Sequence, residues 1–193
     1  MFRNVYVVGL LIFIVIMAAF FITNFFFRGV DYYRTSMVLN AFFLPLVFAV
    51  GAYLSVIAYS RWKKRISFKE AYGRAFIPMF VGGLLALGSI FVYINYVDTQ
   101  TKDLLNYQYI ESYKVSLEEE YTKAKNVFRP DSEEMAEVNR KYEEGKVRIA
   151  EKEKKNEDMF SFKYFGYVFA GFCAYFLLLS LFFGSFFRSR SLE

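Results

Sequence analysis

Asn24, Asn40 and Asn95 are the strongly polar side chains inside otherwise apolar stretches of this chain. With Asp31, Tyr96 and Tyr164 they could line a shallow vestibule for a solute, or simply reach water and one another at an interface. The rest of the chain offers little reactive chemistry. It has no histidine, which removes the commonest general base and the commonest transition-metal ligand. Its one cysteine, Cys173, lies in an apolar run and reads as a small packing residue. No Gly-rich phosphate loop, metal-ligand spacing or pair of intramembrane carboxylates is present in the sequence. The expectation is a protein that is not an enzyme and carries no cofactor.

Two further groups of residues have spacings that suggest contact with something. Arg61, Trp62, Lys63, Lys64 and Arg65 form a basic run. Such a run beside a membrane either marks topology or holds anionic lipid head groups. Further on, Tyr107, Ile110, Tyr113, Leu117, Tyr121, Ala124 and Phe128 recur at steps of three and four, followed by Met135, Val138 and Tyr142. That is a helical stripe on each side of Arg129-Pro130-Asp131. It describes a seam between two helices. The alternative is that Tyr113, Leu117, Tyr121, Phe128, Met135 and Tyr142 recognise a partner.

The elements that must position these residues follow from how hydropathy is distributed. Apolar residues make up 56% of the chain, with 25 Phe and 16 Tyr, and they gather in four blocks: 5–27, 38–59, 75–97 and 164–187. None contains Asp, Glu, Lys or Arg, and each is long enough to cross a ~30 Å hydrocarbon layer. The first is too long for the h-region of a signal peptide. The fold class is therefore an all-α integral membrane protein: four transmembrane helices with a long extracytoplasmic helical hairpin between spans three and four. Its parts are 1–97 (three spans, with a cytoplasmic basic turn at 61–74), 98–160 (the hairpin) and 161–193 (the fourth span and a tail).

Charge sets the sides. Met1–Asn4, 61–74 and 188–193 hold nine Lys and Arg, whereas 28–37 holds two. By the positive-inside rule both termini are cytoplasmic. The stretch 98–160 has 12 basic and 16 acidic residues, so the chain's net charge of +5 comes from its membrane-flanking segments. It is no nucleic-acid footprint.

Local signals refine this layout. Ser67 and Glu70 have capping-box spacing, and so do Asp131 and Glu134. The third helix should start at Phe68, with Pro78 a place for a kink, and should continue unbroken into the first arm. Each arm should span 28–31 residues, packing best near the tip, with 151–158 solvated and loose. Gly51 with Ser55, Gly82 with Ala86, and Gly166 with Ala170 and Ala174 are small-residue steps that let helices approach in lipid. They hold the bundle together or, alternatively, make a homo-oligomer.

The segment from Tyr59 to Phe76, with Ile66-Ser67-Phe68 entering the third span and Ala71 and Phe76 beyond it, resembles an uncharacterised bacterial membrane family, domain of unknown function 4199. Here Tyr72-Gly73-Arg74-Ala75 separates Ala71 from Phe76. The resemblance implies four spans, a charged helical insertion before the last, and the bacterial inner membrane. It carries no site residues.

Two functions fit. One is a non-enzymatic scaffold that binds another membrane or extracytoplasmic protein through the hairpin. The other is a small transporter or channel component with the asparagine vestibule. In both the lipid bilayer is a partner and nucleic acid is not.

Overall fold

A computed structural model describes residues 2–29, 31–155 and 158–188. Arg190, counted above with the basic tail, and Asn156 and Glu157, counted with the loose base, lie outside the described residues. The described chain is helical, with no strand: α1 Val5–Phe26, α2 Tyr32–Val38, α3 Leu44–Lys63, α4 Phe68–Val92, α5 Thr99–Val127, α6 Glu133–Lys154 and α7 Phe162–Phe187, plus π-helical turns at Leu39–Phe43 and Tyr93–Val97. Four continuous helical stretches, Val5–Phe26, Tyr32–Lys63, Phe68–Val97 and Phe162–Phe187, are long and apolar enough to cross a membrane. The chain divides into two compact units, one of Met1–Asp98 with Phe160–Glu193, the other of Thr99–Met159.

In the first unit α4 is central and packs on α1, α3 and α7. Its start is fixed as the spacing predicts. The Ser67 hydroxyl accepts from the Glu70 N–H, and the Glu70 carboxylate accepts from the Ser67 N–H at 2.9 Å. The helix runs through Pro78 without ending. The core is built from Val8, Ile12 and Ile16 of α1, Phe48, Ala52 and Val56 of α3, Ala71, Ala75 and Met79 of α4, and Phe176 and Phe183 of α7.

Glycines set the close approaches. A β-carbon on Gly51 would stand 2.5 Å from the Ile12 side chain, and one on Gly82 2.8 Å from it. One isoleucine of α1 is thus received by a glycine of α3 and a glycine of α4. Gly83 gives room to Phe176, and Gly184 to Phe68. The fourth-span ladder behaves differently. Gly166, Ala170 and Ala174 are exposed, and nothing lies within 4 Å of a β-carbon placed on Gly166. It is Phe176, Ser180, Phe183 and Gly184 of α7 that face the bundle.

The π-helical turn at Leu39–Phe43 has a covalent cause. Pro45 has no N–H to offer the carbonyl four residues back, and just ahead of it the Leu44 N–H closes onto Leu39 five residues back. The Tyr93–Val97 turn ends the same way, with Asp98 N–H on the Tyr93 carbonyl at 2.9 Å. Asp98 itself is non-helical, at φ −124°, ψ 73°. The third span and the first arm are therefore two helices, not the single one expected: the wider turn and the non-helical Asp98 end the hydrogen-bond ladder before Thr99.

The second unit pairs α5 with α6. With 29 and 22 residues they are ~44 and ~33 Å long at 1.5 Å per residue, so the second arm is shorter than expected. Its N-cap is Ser132, whose side chain accepts from the Met135 N–H, and not Asp131. The chain turns one residue later than the Asp131–Glu134 spacing suggested, and Ser132 has the extended backbone (φ −83°, ψ 153°) that a cap requires.

Candidate functional site

The paired helices are joined by named side chains along their length. The Tyr121 and Tyr142 rings stack with centroids 4.0 Å apart. The Tyr121 hydroxyl donates to Asn139 at 2.9 Å, and the Tyr142 hydroxyl donates to Glu118. That acceptor, helped by partial desolvation and the carboxylate's charge, pushes the Tyr142 phenol up to about 12. Leu117 sits against Gly145, where a β-carbon would meet its Cδ1 at 2.8 Å. Beyond this the Lys114 ammonium pairs with Glu153 at 2.6 Å, and the hydrogen bond to that carboxylate raises the Lys114 pKa. The Lys152 ammonium donates to the Tyr109 hydroxyl at 2.9 Å and lies over that ring.

At the base, Asn106 donates to Asp158 at 3.1 Å and accepts from the Met159 N–H at 3.0 Å, while Lys102 pairs with Asp158 at 2.6 Å. The base is solvated as expected, with Glu151, Glu153, Lys154 and Lys155 exposed, but it is tied to the first arm by these polar contacts. Polar contacts at Glu153, Lys152 and Asp158 do there what apolar residues do elsewhere, and α6 stays helical to Lys154. Nor is burial confined to the tip. Met135 is buried near the tip, but so are Leu105 and Tyr109 near the base.

The six residues assigned to partner recognition separate into two sets. Leu117, Tyr121, Met135 and Tyr142 are buried or half-buried. Tyr113 and Phe128 are 47% and 37% exposed, and Tyr107 of the expected stripe is 66% exposed.

In the first unit, the basic turn is organised by one acid. Glu70, besides capping α4, pairs with Lys63 and accepts from the Tyr59 hydroxyl at 3.3 Å. The Arg74 guanidinium lies 3.8 Å from the Tyr59 ring centroid and donates to the Arg3 carbonyl. Arg3 in turn lies over the Trp62 ring at 4.6 Å. Of the five residues assigned to head groups, Lys63 is therefore engaged and Trp62 is covered on one face. Arg61, Lys64 and Arg65 are exposed.

The three asparagines go to different places. Asn24 is 1% exposed; its carbonyl oxygen accepts from the Tyr32 hydroxyl at 2.9 Å, and its amide donates to Tyr93 at 3.4 Å. Asn95 donates to the carbonyls of Phe91 and Phe160 at 3.1 and 3.0 Å. Asn40 is exposed and borders a cavity of about 60 Å³ that Thr23, Tyr32 and Ser36 also line, and Asn24 and Asn95 do not. Nearby, the Arg28 guanidinium meets both oxygens of Asp98 at 3.2 Å. Sequence patterns could not pair Arg28 with Asp98, or Asn24 with Tyr32 and Tyr93, because each pair joins different helices or turns.

Among the described residues no group of three or more acidic or Cys side chains could hold a metal ion. The family described as "Protein of unknown function (DUF4199)" matches residues 8–189. No curated protein and no solved structure matches the chain.

Proposed function

The chain belongs to the DUF4199 family, and we propose that it is a non-enzymatic membrane scaffold whose paired helices, 99–159, are a recognition arm for another protein. One observation carries this reading. The arm closes its own seam through Tyr121, Tyr142, Leu117 and Tyr109, yet leaves Tyr107, Tyr113, Val127 and Phe128 exposed. On the spans an exposed apolar side chain can meet lipid. On a charge-rich helix pair it meets water unless a partner covers it, and aromatic residues are those that protein interfaces favour.

The arm lies outside the cytoplasm in this reading, both termini lie inside, and the membrane is a bacterial inner membrane. Support comes from the excess of Lys and Arg in 61–74 and at the ends over 28–37. The alternative, a small transporter or channel component, draws on the cavity beside Asn40. Its size gives room for a few waters rather than for a solute.

Photo-crosslinking in intact cells tests the reading. A photoreactive residue at Tyr107, Tyr113 or Phe128 is expected to capture a defined protein, whereas one at Glu144 or Arg148 captures it weakly. Equal capture at all five positions would contradict an aromatic recognition face.

A further inference from the structure

The turn between the second and third spans contains one acid, and that acid is fully engaged. Glu70 takes the Ser67 N–H and hydroxyl, the Lys63 ammonium and the Tyr59 hydroxyl. Arg74 is engaged by the Tyr59 ring and the Arg3 carbonyl, and Arg3 by the Trp62 ring. Four cations remain: Arg61, Lys64, Arg65 and Lys69. All are exposed, and none has an ion pair with a described residue.

Their place in the chain decides what they can meet. Both flanking helical stretches, Tyr32–Lys63 and Phe68–Val97, are long and apolar enough to cross a membrane. A four-residue connection between two spans lies at head-group level whichever face of the membrane it occupies. Trp62 and Phe68, both exposed, suit that level too. The capping box and the Glu70 network hold the backbone in a defined turn. Lys64 sits at φ 66°, ψ −39°, the centre of a γ-turn closed by the Arg65 N–H on the Lys63 carbonyl at 2.8 Å, and the turn presents a cation there.

We propose that this turn binds the phosphates of anionic lipid head groups through Arg61, Lys64, Arg65 and Lys69. Arg61 and Arg65 offer planar forks that can meet phosphate oxygens in pairs. Lys64 and Lys69 add point charge. Lys63 stays out of the contact because Glu70 holds it. The surface is one of charge complementarity, so it favours phosphatidylglycerol over phosphatidylcholine at equal abundance and weakens with salt.

The protein carries its own reporter, since Trp62 is its single tryptophan. The full chain is reconstituted into phosphatidylcholine bilayers containing a minor fraction of lipid brominated near the top of the acyl chain. The brominated lipid is phosphatidylglycerol in one set and phosphatidylcholine in the other. Bromine quenches Trp62 only from lipids beside it. The expected result is a relative association at least about fivefold in favour of phosphatidylglycerol, the worth of one well placed cation at a charged surface. The preference should shrink in high salt. It should fall toward unity when Arg61, Lys64, Arg65 and Lys69 are all changed to Gln, and partway in the double variants Arg61→Gln/Lys64→Gln and Arg65→Gln/Lys69→Gln. Lys123→Gln/Lys125→Gln in the paired helices should leave it unchanged. Equal quenching by the two lipids in the unaltered protein would overturn the proposal without recourse to any variant. Loss of the preference on adding inorganic phosphate, beyond chloride at equal ionic strength, would overturn it in favour of a soluble phosphate ligand.

Discussion

The carbonyl oxygen of Gly9 lies 2.7 Å from where a β-carbon on Gly82 would stand. Backbone meets backbone there, between α1 and α4, with Ile12 2.8 Å from the same point. A methyl group at Gly82 has no flexible neighbour to displace. Gly82→Ala should therefore destabilise the bundle by about 1–3 kcal/mol, the usual cost of overpacking. Gly166→Ala, with nothing within 4 Å, should be neutral. Thermal unfolding in detergent, followed by helical circular dichroism, compares the two. Equal effects would mean that α1 and α4 are not in contact at Gly9 and Gly82.

The Tyr142 phenol supplies a test of the seam by pH. Its hydrogen bond to Glu118 raises its pKa from 10.0 to about 12. A group whose folded pKa is raised adds stability that is fully present below its unfolded value and lost as pH climbs through the folded one. The contribution of this contact should hold to pH 10 and disappear between 10 and 12. Carbon-13 NMR of ring-labelled tyrosine reads the ionisation directly. Tyr142 should ionise late in the intact protein and near 10 in Glu118→Gln. A Tyr142 signal that titrates near 10 in both would show that the two arms do not meet at this pair.

Sidedness can be read with fusions. A reporter active only outside the cytoplasm should work when joined near Pro130 and be silent near Lys64. The reverse pattern would invert the proposed layout, and with it the compartment in which the arm could find a partner.

What the sequence disclosed, and what it concealed, divides along physical lines. The four apolar helices were legible because lipid demands long uncharged runs, and Val5–Phe26 falls within one residue of its expected end. The cap at Ser67 was legible because both partners lie within four residues. The π-helical turns were not, since widening a helix changes no residue type. Only Pro45 marks the first of them. The seam of the paired helices was legible as a pair of stripes but not in its register. Counting aromatics favoured Tyr107 and Tyr113, whereas the buried positions are Leu105 and Tyr109. Toward the base the arms are joined by Asn106, Lys152 and Asp158, polar residues that a hydropathy pattern counts as solvent-facing. The small-residue rule likewise found Gly51 and Gly82 correctly, while Gly166 satisfied it and faces away from the bundle. Spacing reports that a helix could be approached closely, not whether a neighbour stands on that side.

The proposal that the paired helices are a recognition arm, separable from the anchor, is tested most directly by their removal. Residues 104–156 would be replaced with a short flexible linker, and the protein and its bound partners captured from native membranes beside the intact chain. The shortened protein is expected to insert and keep the helical signal of its four spans, and to lose the partners that the intact chain retains. Retention of the same partners would contradict the proposal and move recognition to the spans or to the basic turn.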